Sequence, residues 1–183
     1  MGRGPIRVPL STPARQHIVQ IAYHVADIDA AMLAWQRRFG VGPFILRRHI
    51  ALEEVSYRGR SATLEISAAH VQSGPVQIEL VMQHCDQPSA FRDCFAPDQD
   101  GLHHVALFPE DHQVMVDHYL AQGFEIATDL ITSERRGASY MDTRAALGHM
   151  VEIYRVNDSL HALYAQVAAA ADNWDGHTLY IEQ

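Results

Sequence analysis

Hydrophobic and polar residues alternate along residues 17–25, and this pattern predicts a β-strand. Because successive residues of a strand point to opposite sides, one of its faces is apolar while the other carries polar or small side chains. The next segment has apolar residues at helical spacing. Asp27 precedes it as a helix N-cap and Gly40 follows it as a left-handed stop, so we expect a helix over 28–39.

Three further strand-like stretches follow in this half of the chain. They lie at about 43–49, at 53–68 with a break at Gly59, and at 75–83. A polar segment, 84–100, comes next and contains two prolines and four aspartates. We interpret this segment as the boundary between two halves of the protein.

The same order of elements recurs in the second half. A strand over 101–108 leads to Asp111, which stands where Asp27 stood, and then to a helix that runs to about Gln122 before Gly123. Three more strand-like stretches follow, at about 124–132, 137–143 and 148–155.

Aligning the two halves pairs residues of similar chemistry. Gln20 aligns with His104 in the first strand of each half, and Glu79 aligns with Glu152 in the last. Two tandem βαβββ modules therefore account for about residues 17–156, and they predict an α+β fold with a curled mixed sheet around a central cavity. The predicted divisions are an irregular N-terminal arm (1–15), a first module (16–87), a linker (88–100), a second module (101–156), and a C-terminal helix and tail (157–183).

The composition is that of an ordinary globular protein, with 183 residues, 48% hydrophobic content and a formal net charge of −8. This negative charge argues against a nucleic-acid partner, which requires a basic surface. No apolar run approaches the ~18–20 residues of a membrane span, and no secretory signal is recognisable. The two cysteines, Cys85 and Cys94, are expected to be reduced thiols, and we expect a cytoplasmic protein.

Strand alternation places four polar side chains on the face opposite the apolar one. They come one from each of four strands: Gln20, Glu79, His104 and Glu152. If both modules curl alike, the four side chains share one cavity. Two carboxylates, an imidazole and an amide oxygen form a mixed site suited to Zn, Ni, Co, Fe or Mn. A bound divalent ion also explains how two buried glutamates that would otherwise repel each other come to be close together.

The residues around these positions resemble the vicinal oxygen chelate superfamily, which includes glyoxalase I, methylmalonyl-CoA epimerase, extradiol dioxygenases and bleomycin-resistance proteins. The resemblance is carried by 18–29, 78–80, 101–106 and 148–154. It implies a divalent metal bound by one residue from the first and last strand of each module, at the four positions above, and it implies a homodimer. The epimerase pattern usually has His at position 20, whereas the Gln here resembles some glyoxalase I enzymes.

Together, the donor set and the resemblance predict a metal-dependent isomerase, epimerase or lyase. The metal would stabilise an enolate, and a glutamate, Glu152 first and Glu79 second, would move the proton next to the carbonyl. A hemithioacetal or an acyl thioester fits this chemistry as substrate. Two alternatives remain: a metal-free binding or sequestering protein of the same fold, and a ring-cleaving dioxygenase, whose two-histidine, one-carboxylate iron site is not matched by Gln20.

Five other side chains are candidates for contacting a substrate. His24 lies along the inward face of the first strand, Tyr154 shares a face with the predicted ligand of the last strand, and Tyr140 belongs to the strand before it. Arg135 and Arg136 precede the inner strands of the second module, where they could steer an anionic group.

Most of the twelve histidines have no such context. His103 has the opposite parity to His104, so we interpret it as a packing or surface residue. His70 lies beyond the predicted end of its strand and is interpreted as solvated.

Overall fold

The computed structural model describes residues 16–183, so the predicted arm at 1–15 lies outside the described residues. It contains eleven strands and five helices within that range: β1 (Ile18–His24), α1 (Ile28–Phe39), β2 (Phe44–Arg47), β3 (Leu52–Tyr57), β4 (Arg60–Ser61), β5 (Ile66–Ser73), β6 (Val76–Gln83), α2 (Ala90–Cys94), β7 (Gly101–Leu107), α3 (His112–Leu120), β8 (Ile126–Thr132), β9 (Gly137–Met141), α4 (Arg144–Leu147), β10 (Met150–Arg155), α5 (Asp158–Asp172) and β11 (Tyr180–Glu182).

The strands form one mixed sheet in the order β11-β2-β5-β6-β1-β7-β10-β9-β8-β3-β4. In each half, the first strand pairs in parallel with the last: β1 with β6, and β7 with β10. The two halves join through the antiparallel pair β1 and β7. This arrangement confirms the predicted α+β fold with two like modules in one curled mixed sheet.

The two long module helices pack on the face of the sheet opposite the polar residues. Helix α1 buries Ile28 and Met32, and α3 buries Met115 and Val116. Both begin at the predicted aspartate, whose carboxylate accepts a hydrogen bond from a backbone N–H of the first turn. Helix α3 ends at Leu120, slightly earlier than predicted.

The predicted stretch 53–68, with its break at Gly59, falls in three strands in the structure: β3, β4 and the beginning of β5. Arg58 and Gly59 both have positive φ and form the turn of the β3–β4 hairpin. This hairpin leaves its own half and pairs with β8 of the other half. Strand β5 then begins at Ile66 and continues to Ser73, beyond the predicted end, because the chain reverses only at Gly74, whose φ is 59°.

Two segments outside the modules cover the inner face of the sheet. In the predicted linker, Ser89 caps α2, and Phe91 of this short helix is fully buried in the central core. Beyond the second module, α5 begins at the cap residue Asn157 and buries Leu160, Leu163 and Val167. Leu160 packs into the same core. Both segments therefore enclose the space between the two halves.

The C-terminal tail extends the sheet beyond the first half, because β11 pairs in parallel with β2. The indole of Trp174 lies against Gly42, where an added Cβ would be 2.7 Å from the ring. A side chain at position 42 would therefore displace this ring. No helix in the described part of the chain is long and apolar enough to cross a membrane.

Candidate metal centre

Two glutamates occupy equivalent positions in the two halves. Glu79 of β6 pairs in register with Ala22 of β1, and Glu152 of β10 pairs with Ala106 of β7. Both alanines are fully buried. Their small side chains leave room on the inner face, and both carboxylates occupy it. Glu79 and Glu152 are 8% and 3% exposed, so both residues lie almost entirely out of solvent.

His104 of β7 lies between these two carboxylates. Its Nε2 is 3.1 Å from Oε2 of Glu152 and 3.3 Å from Oε2 of Glu79. One donor atom from each of the three residues lies within 4.8 Å of the others. The structure thus brings together three of the four residues predicted as metal ligands.

The spacing of these atoms fits a divalent ion. Ligands about 2.1 Å from one ion are about 3.0–3.4 Å apart at octahedral or tetrahedral angles, and the observed 3.1 and 3.3 Å fall in this range. Despite their proximity, Nε2 of His104 and Oε2 of Glu152 are buried without a hydrogen bond of good geometry. Buried polar atoms are normally paired, so these two atoms are suited to an ion as their partner.

The charges at the centre also favour a cation. Burial by itself would raise the pKa of Glu79, but the contacts from His104 and His70 outweigh it and lower the pKa. Burial would lower the pKa of His104, but Glu152 and then Glu79 raise it to about 9. A dication binding between the two carboxylates would take the place of the proton on His104.

His103 supports His104 from the side away from the carboxylates. Ala22 pairs with His104, but the next residue, Tyr23, pairs with Leu102, so His103 is the extra residue of a β-bulge. The bulge places Nδ1 of His103 2.7 Å from Nδ1 of His104. Burial, and then the charge of His104, lower the pKa of His103 well below its usual value, so it is neutral and can accept the proton of that nitrogen.

His103 is therefore fully buried and not a surface residue. Its ring stacks on Phe91 of α2 with 4.4 Å between centroids. Metal-binding histidines usually donate their second ring N–H to a fixed partner, which sets the orientation of the ring. His103 is placed to be that partner for His104.

Gln20, the fourth predicted ligand, has its side-chain amide hydrogen-bonded at both ends. Its amide nitrogen donates to Oε1 of Gln77 at 2.6 Å, and its amide oxygen accepts from the hydroxyl of Tyr154 at 2.9 Å. All three residues are buried. These two bonds hold the amide of Gln20 in place.

His70 is a member of the site that the sequence analysis missed. It lies on β5 directly opposite Glu79, is 5% exposed, and places Nε2 3.3 Å from Oε1 of that carboxylate. Tyr140 on β9 is directly opposite Glu152 in the same way. The internal repeat could have identified His70. If the predicted strand had been extended to residue 73, His70 would have aligned with Tyr140 of the second half.

The residues that line a cavity of about 60 Å³ include Glu79, Glu152 and three of the predicted substrate contacts: Tyr140, Tyr154 and Arg136. Burial, and then the negative charge of Glu152, raise the pKa of both tyrosines well above the usual value, so both phenols stay protonated and can donate hydrogen bonds.

The other two predicted substrate contacts lie elsewhere. His24 is buried against the segment between the modules, with Nδ1 2.7 Å from the carbonyl oxygen of Gln99 and its ring stacked on Phe95. Arg135 is exposed in the turn before β9, and its carbonyl oxygen accepts a hydrogen bond from Asn157. The structure does not bring either side chain to the cavity.

The comparisons with known proteins agree with this architecture. The family model described as "Glyoxalase/Bleomycin resistance protein/Dioxygenase superfamily" matches residues 19–141. No curated protein sequence matches the chain significantly.

Solved structures share the fold at low sequence identity. A hypothetical protein from Bacillus halodurans C-125 is similar with a TM-score of 0.56 and 13% identity, over 79% of this chain and 97% of its own. Methylmalonyl-CoA epimerase from Mycobacterium tuberculosis gives 0.55 and 15%, over 85% and 97%. A variant of Streptomyces coelicolor methylmalonyl-CoA epimerase in complex with 2-nitronate-propionyl-CoA gives 0.51 and 13%, over 77% and 94%.

The family model spans most of both modules, and the sheet order gives the paired βαβββ architecture independently of it. The chain therefore belongs to the glyoxalase, bleomycin resistance protein and dioxygenase superfamily, also known as the vicinal oxygen chelate superfamily.

Proposed function

We propose that this protein is a divalent-metal-dependent isomerase, epimerase or lyase that moves a proton on the carbon next to a carbonyl group. The observation that supports this proposal is the convergence of Glu79, His104 and Glu152, two of which line a cavity. Membership in the superfamily is compatible with it but does not decide the activity, because one fold hosts many functions.

The proposed metal ligands are Glu79, His104 and Glu152, with Gln20 as a fourth if its amide is released. Zn, Ni, Co, Fe and Mn all suit such a set of oxygen and nitrogen donors. When bound, an ion of this kind would act as a Lewis acid toward a carbonyl oxygen and stabilise the negative charge that develops there.

Within this proposal, Glu152 is the first candidate to take the proton and Glu79 the second. Both oxygens of Glu79 are in contact with imidazoles, Oε2 with His104 and Oε1 with His70. Glu152 contacts one imidazole, that of His104 through Oε2, and it is also hydrogen-bonded to the hydroxyl of Tyr140. Because Glu152 contacts one imidazole and Glu79 contacts two, Glu152 is the first candidate to accept a proton from a ligand in the cavity.

The protonated tyrosines would orient the substrate. Tyr140 lies opposite Glu152 across the β9–β10 pair, and Tyr154 already donates to Gln20. Because burial keeps both phenols neutral, each could donate its O–H to a substrate that displaces its present partner, which is Gln20 for Tyr154 and Glu152 for Tyr140. Arg136 is the proposed contact to an anionic part of the substrate; His24 and Arg135 would need a rearrangement to take part.

We propose a small acyl thioester or a hemithioacetal as the substrate. A cavity of about 60 Å³ has room for about four water molecules, so only a small acyl portion would enter it. The similarity to methylmalonyl-CoA epimerases supports the thioester, and the glutamine at position 20 supports the hemithioacetal. Further parts of the proposal are a homodimer, which rests on the family resemblance, and a cytoplasmic location, with which the two free cysteines agree.

One observation favours a second candidate, a metal-free binding protein. A protonated His104 between two carboxylates would neutralise part of their charge without any metal, and the pKa of about 9 supports that state at neutral pH. Such a protein would bind small molecules with the same affinity before and after treatment with a chelator.

The test of the proposed function is exchange of the α-proton with solvent. The protein is loaded with each of the five ions in turn and incubated in D₂O with a methylmalonyl thioester or with the hemithioacetal of glutathione and methylglyoxal, and deuterium incorporation is followed by NMR. We expect exchange that requires the metal and falls by about 10²–10⁴ in Glu152→Gln. Absence of exchange with every ion, or undiminished exchange in this variant, would overturn the proposal.

A further inference from the structure

Two arginines and one glutamate stand where the inner cavity meets a larger outer pocket. Arg47, the last residue of β2, and Arg136, which precedes β9, line both the cavity of about 60 Å³ and an adjoining pocket of about 280 Å³. Glu134 lines the outer pocket only. Arg47 and Arg136 therefore lie where the two spaces adjoin, together with the apolar Ile50 and Leu163.

The two arginines share one carboxylate. Oε2 of Glu134 accepts a hydrogen bond from Arg47 and another, at 2.5 Å, from Arg136. Within residues 16–183, neither arginine has a salt bridge to any other acidic group. Two cations and one anion leave a net charge of +1 at this point.

The burial of the three side chains is unequal. The arginine side chains are 12% and 13% exposed, whereas that of Glu134 is 47% exposed. Burial, and then the charge of Arg47, lower the pKa of Arg136, so the charges on the arginines are not fully compensated. Buried guanidinium groups are normally paired one to one with carboxylates or phosphates, and their planar forks suit such groups.

We propose that Arg47 and Arg136 bind an anionic group of the substrate, a carboxylate or a phosphate, and that Glu134 holds them in position until that group replaces it. This inference rests on the proposed function in one respect: the substrate is the molecule whose reacting carbon enters the inner cavity. Glu134 lies in the exposed turn between β8 and β9, so its carboxylate is open to solvent. The other contact of Arg136, to the hydroxyl of Ser159 at 3.2 Å, is compatible with a bound anion.

The inference can be tested on the metal-free protein, so that its outcome does not depend on the metal. The probes are propionate and its neutral isostere propionamide, with ethyl phosphate to distinguish a phosphate from a carboxylate. Binding is followed through the NMR signals of the arginine Nε–H groups at low ionic strength. We expect propionate or ethyl phosphate, but not propionamide, to shift the signals of Arg47 and Arg136.

Three substitutions separate this proposal from a structural role. Arg47→Met and Arg136→Met should each weaken binding of the anion by at least about tenfold. Glu134→Gln should strengthen it by about threefold to tenfold, because the competing carboxylate is gone. A merely structural ion pair predicts the opposite for Glu134→Gln, which would then loosen the arginines and weaken binding.

Arg48→Met is the matched control. Arg48 is next in sequence and lines only the outer pocket, where it pairs with Asp29 and Glu182. Its loss should change the affinity by less than about twofold. If Arg136→Met does not fold, Arg136→Lys keeps the charge without the fork and should still weaken binding.

Two results would overturn the inference: neither anion binds to the wild type or to Glu134→Gln, or binding is the same in the arginine variants. Separate measurement of metal binding by these variants keeps the two proposals apart. A variant that binds metal normally but has lost the anion leaves the metal proposal intact. Anion binding in a protein that takes no metal leaves this inference intact.

Discussion

Gln20 and His104 occupy equivalent positions in the two halves, yet their polar atoms have different partners: His104 contacts Glu79 and Glu152, whereas the amide of Gln20 bonds Gln77 and Tyr154. The difference lies in the residue that each pairs with on the parallel strand. Gln20 is in register with Gln77, which accepts its amide hydrogen, while His104 is in register with Met150, which offers no comparable partner. The internal repeat thus fixes the backbone position of each residue. The residue opposite it on the parallel strand determines the direction of its polar group.

The largest expected effect comes from removing these two equivalent residues in turn. His104→Ala should reduce the affinity for Zn²⁺ by at least about 100-fold, because one of three donors is lost. Gln20→Ala should leave the affinity nearly unchanged but lower the free energy of unfolding by ~1–3 kcal/mol, since Gln77 and Tyr154 lose their partner in a buried place. Calorimetric titration and thermal unfolding measure the two effects. Equal losses of affinity in both variants would mean that Gln20 is a ligand.

The second largest effect should come from replacing His103, which supports the ring of His104 and has no counterpart beside Gln20. His103→Phe keeps a ring to stack on Phe91 but removes the nitrogen 2.7 Å from His104. We expect about 10–100-fold weaker metal binding, the usual cost of losing such a partner. The exposed His177 provides the control, because His177→Phe should have no effect. An unchanged affinity in His103→Phe would show that the bulge serves packing alone.

A change of pH should affect His104 but not Gln20, because an imidazole can gain or lose a proton in this pH range and an amide cannot. In the metal-free protein the pKa of His104 is raised to about 9, so below that pH a metal must displace its proton. The affinity should therefore rise by about tenfold per pH unit between pH 6 and 8 and level off above 9. Titrations at several pH values measure this slope. A flat profile would argue against His104 as a ligand.

The smallest effect should come from making the first half like the second. Gln77→Met copies the residue that faces His104 and frees the amide of Gln20. If Gln20 then reaches the ion, the affinity for metal should rise by about threefold to tenfold, roughly the net value of one polar contact. The double variant Gln20→Ala, Gln77→Met should lose this gain. A gain that persists in the double variant would have another cause.

Local patterns predicted the parts of the fold that depend on local chemistry. Asp27 and Asp111 begin helices because a carboxylate satisfies free N–H groups wherever it occurs at that position. The destination of the β3–β4 hairpin was not predictable in this way. It pairs with β8 of the other half, and only the packed structure decides which sheet edge a hairpin joins.

The candidate site, too, could be predicted only where local sequence patterns hold. Alternation identified Glu79 and Glu152 as residues on one face, because regular strands keep their parity. It failed for His103, where a bulge breaks that parity, and for His70, whose strand runs five residues further than its pattern suggested. It also could not foresee the bond between Gln20 and Gln77, which depends on the register of two strands far apart in sequence.

The most direct test of the proposed metal centre is the metal content of the protein itself. Protein purified without an affinity tag is dialysed against an equimolar mixture of Zn, Ni, Co, Fe and Mn ions and analysed by mass spectrometry. We expect close to one divalent ion per chain in the wild type and none in the isosteric double variant Glu79→Gln, Glu152→Gln, provided that its circular dichroism shows a folded protein. A wild type without metal, or a double variant that retains it, would contradict the central claim.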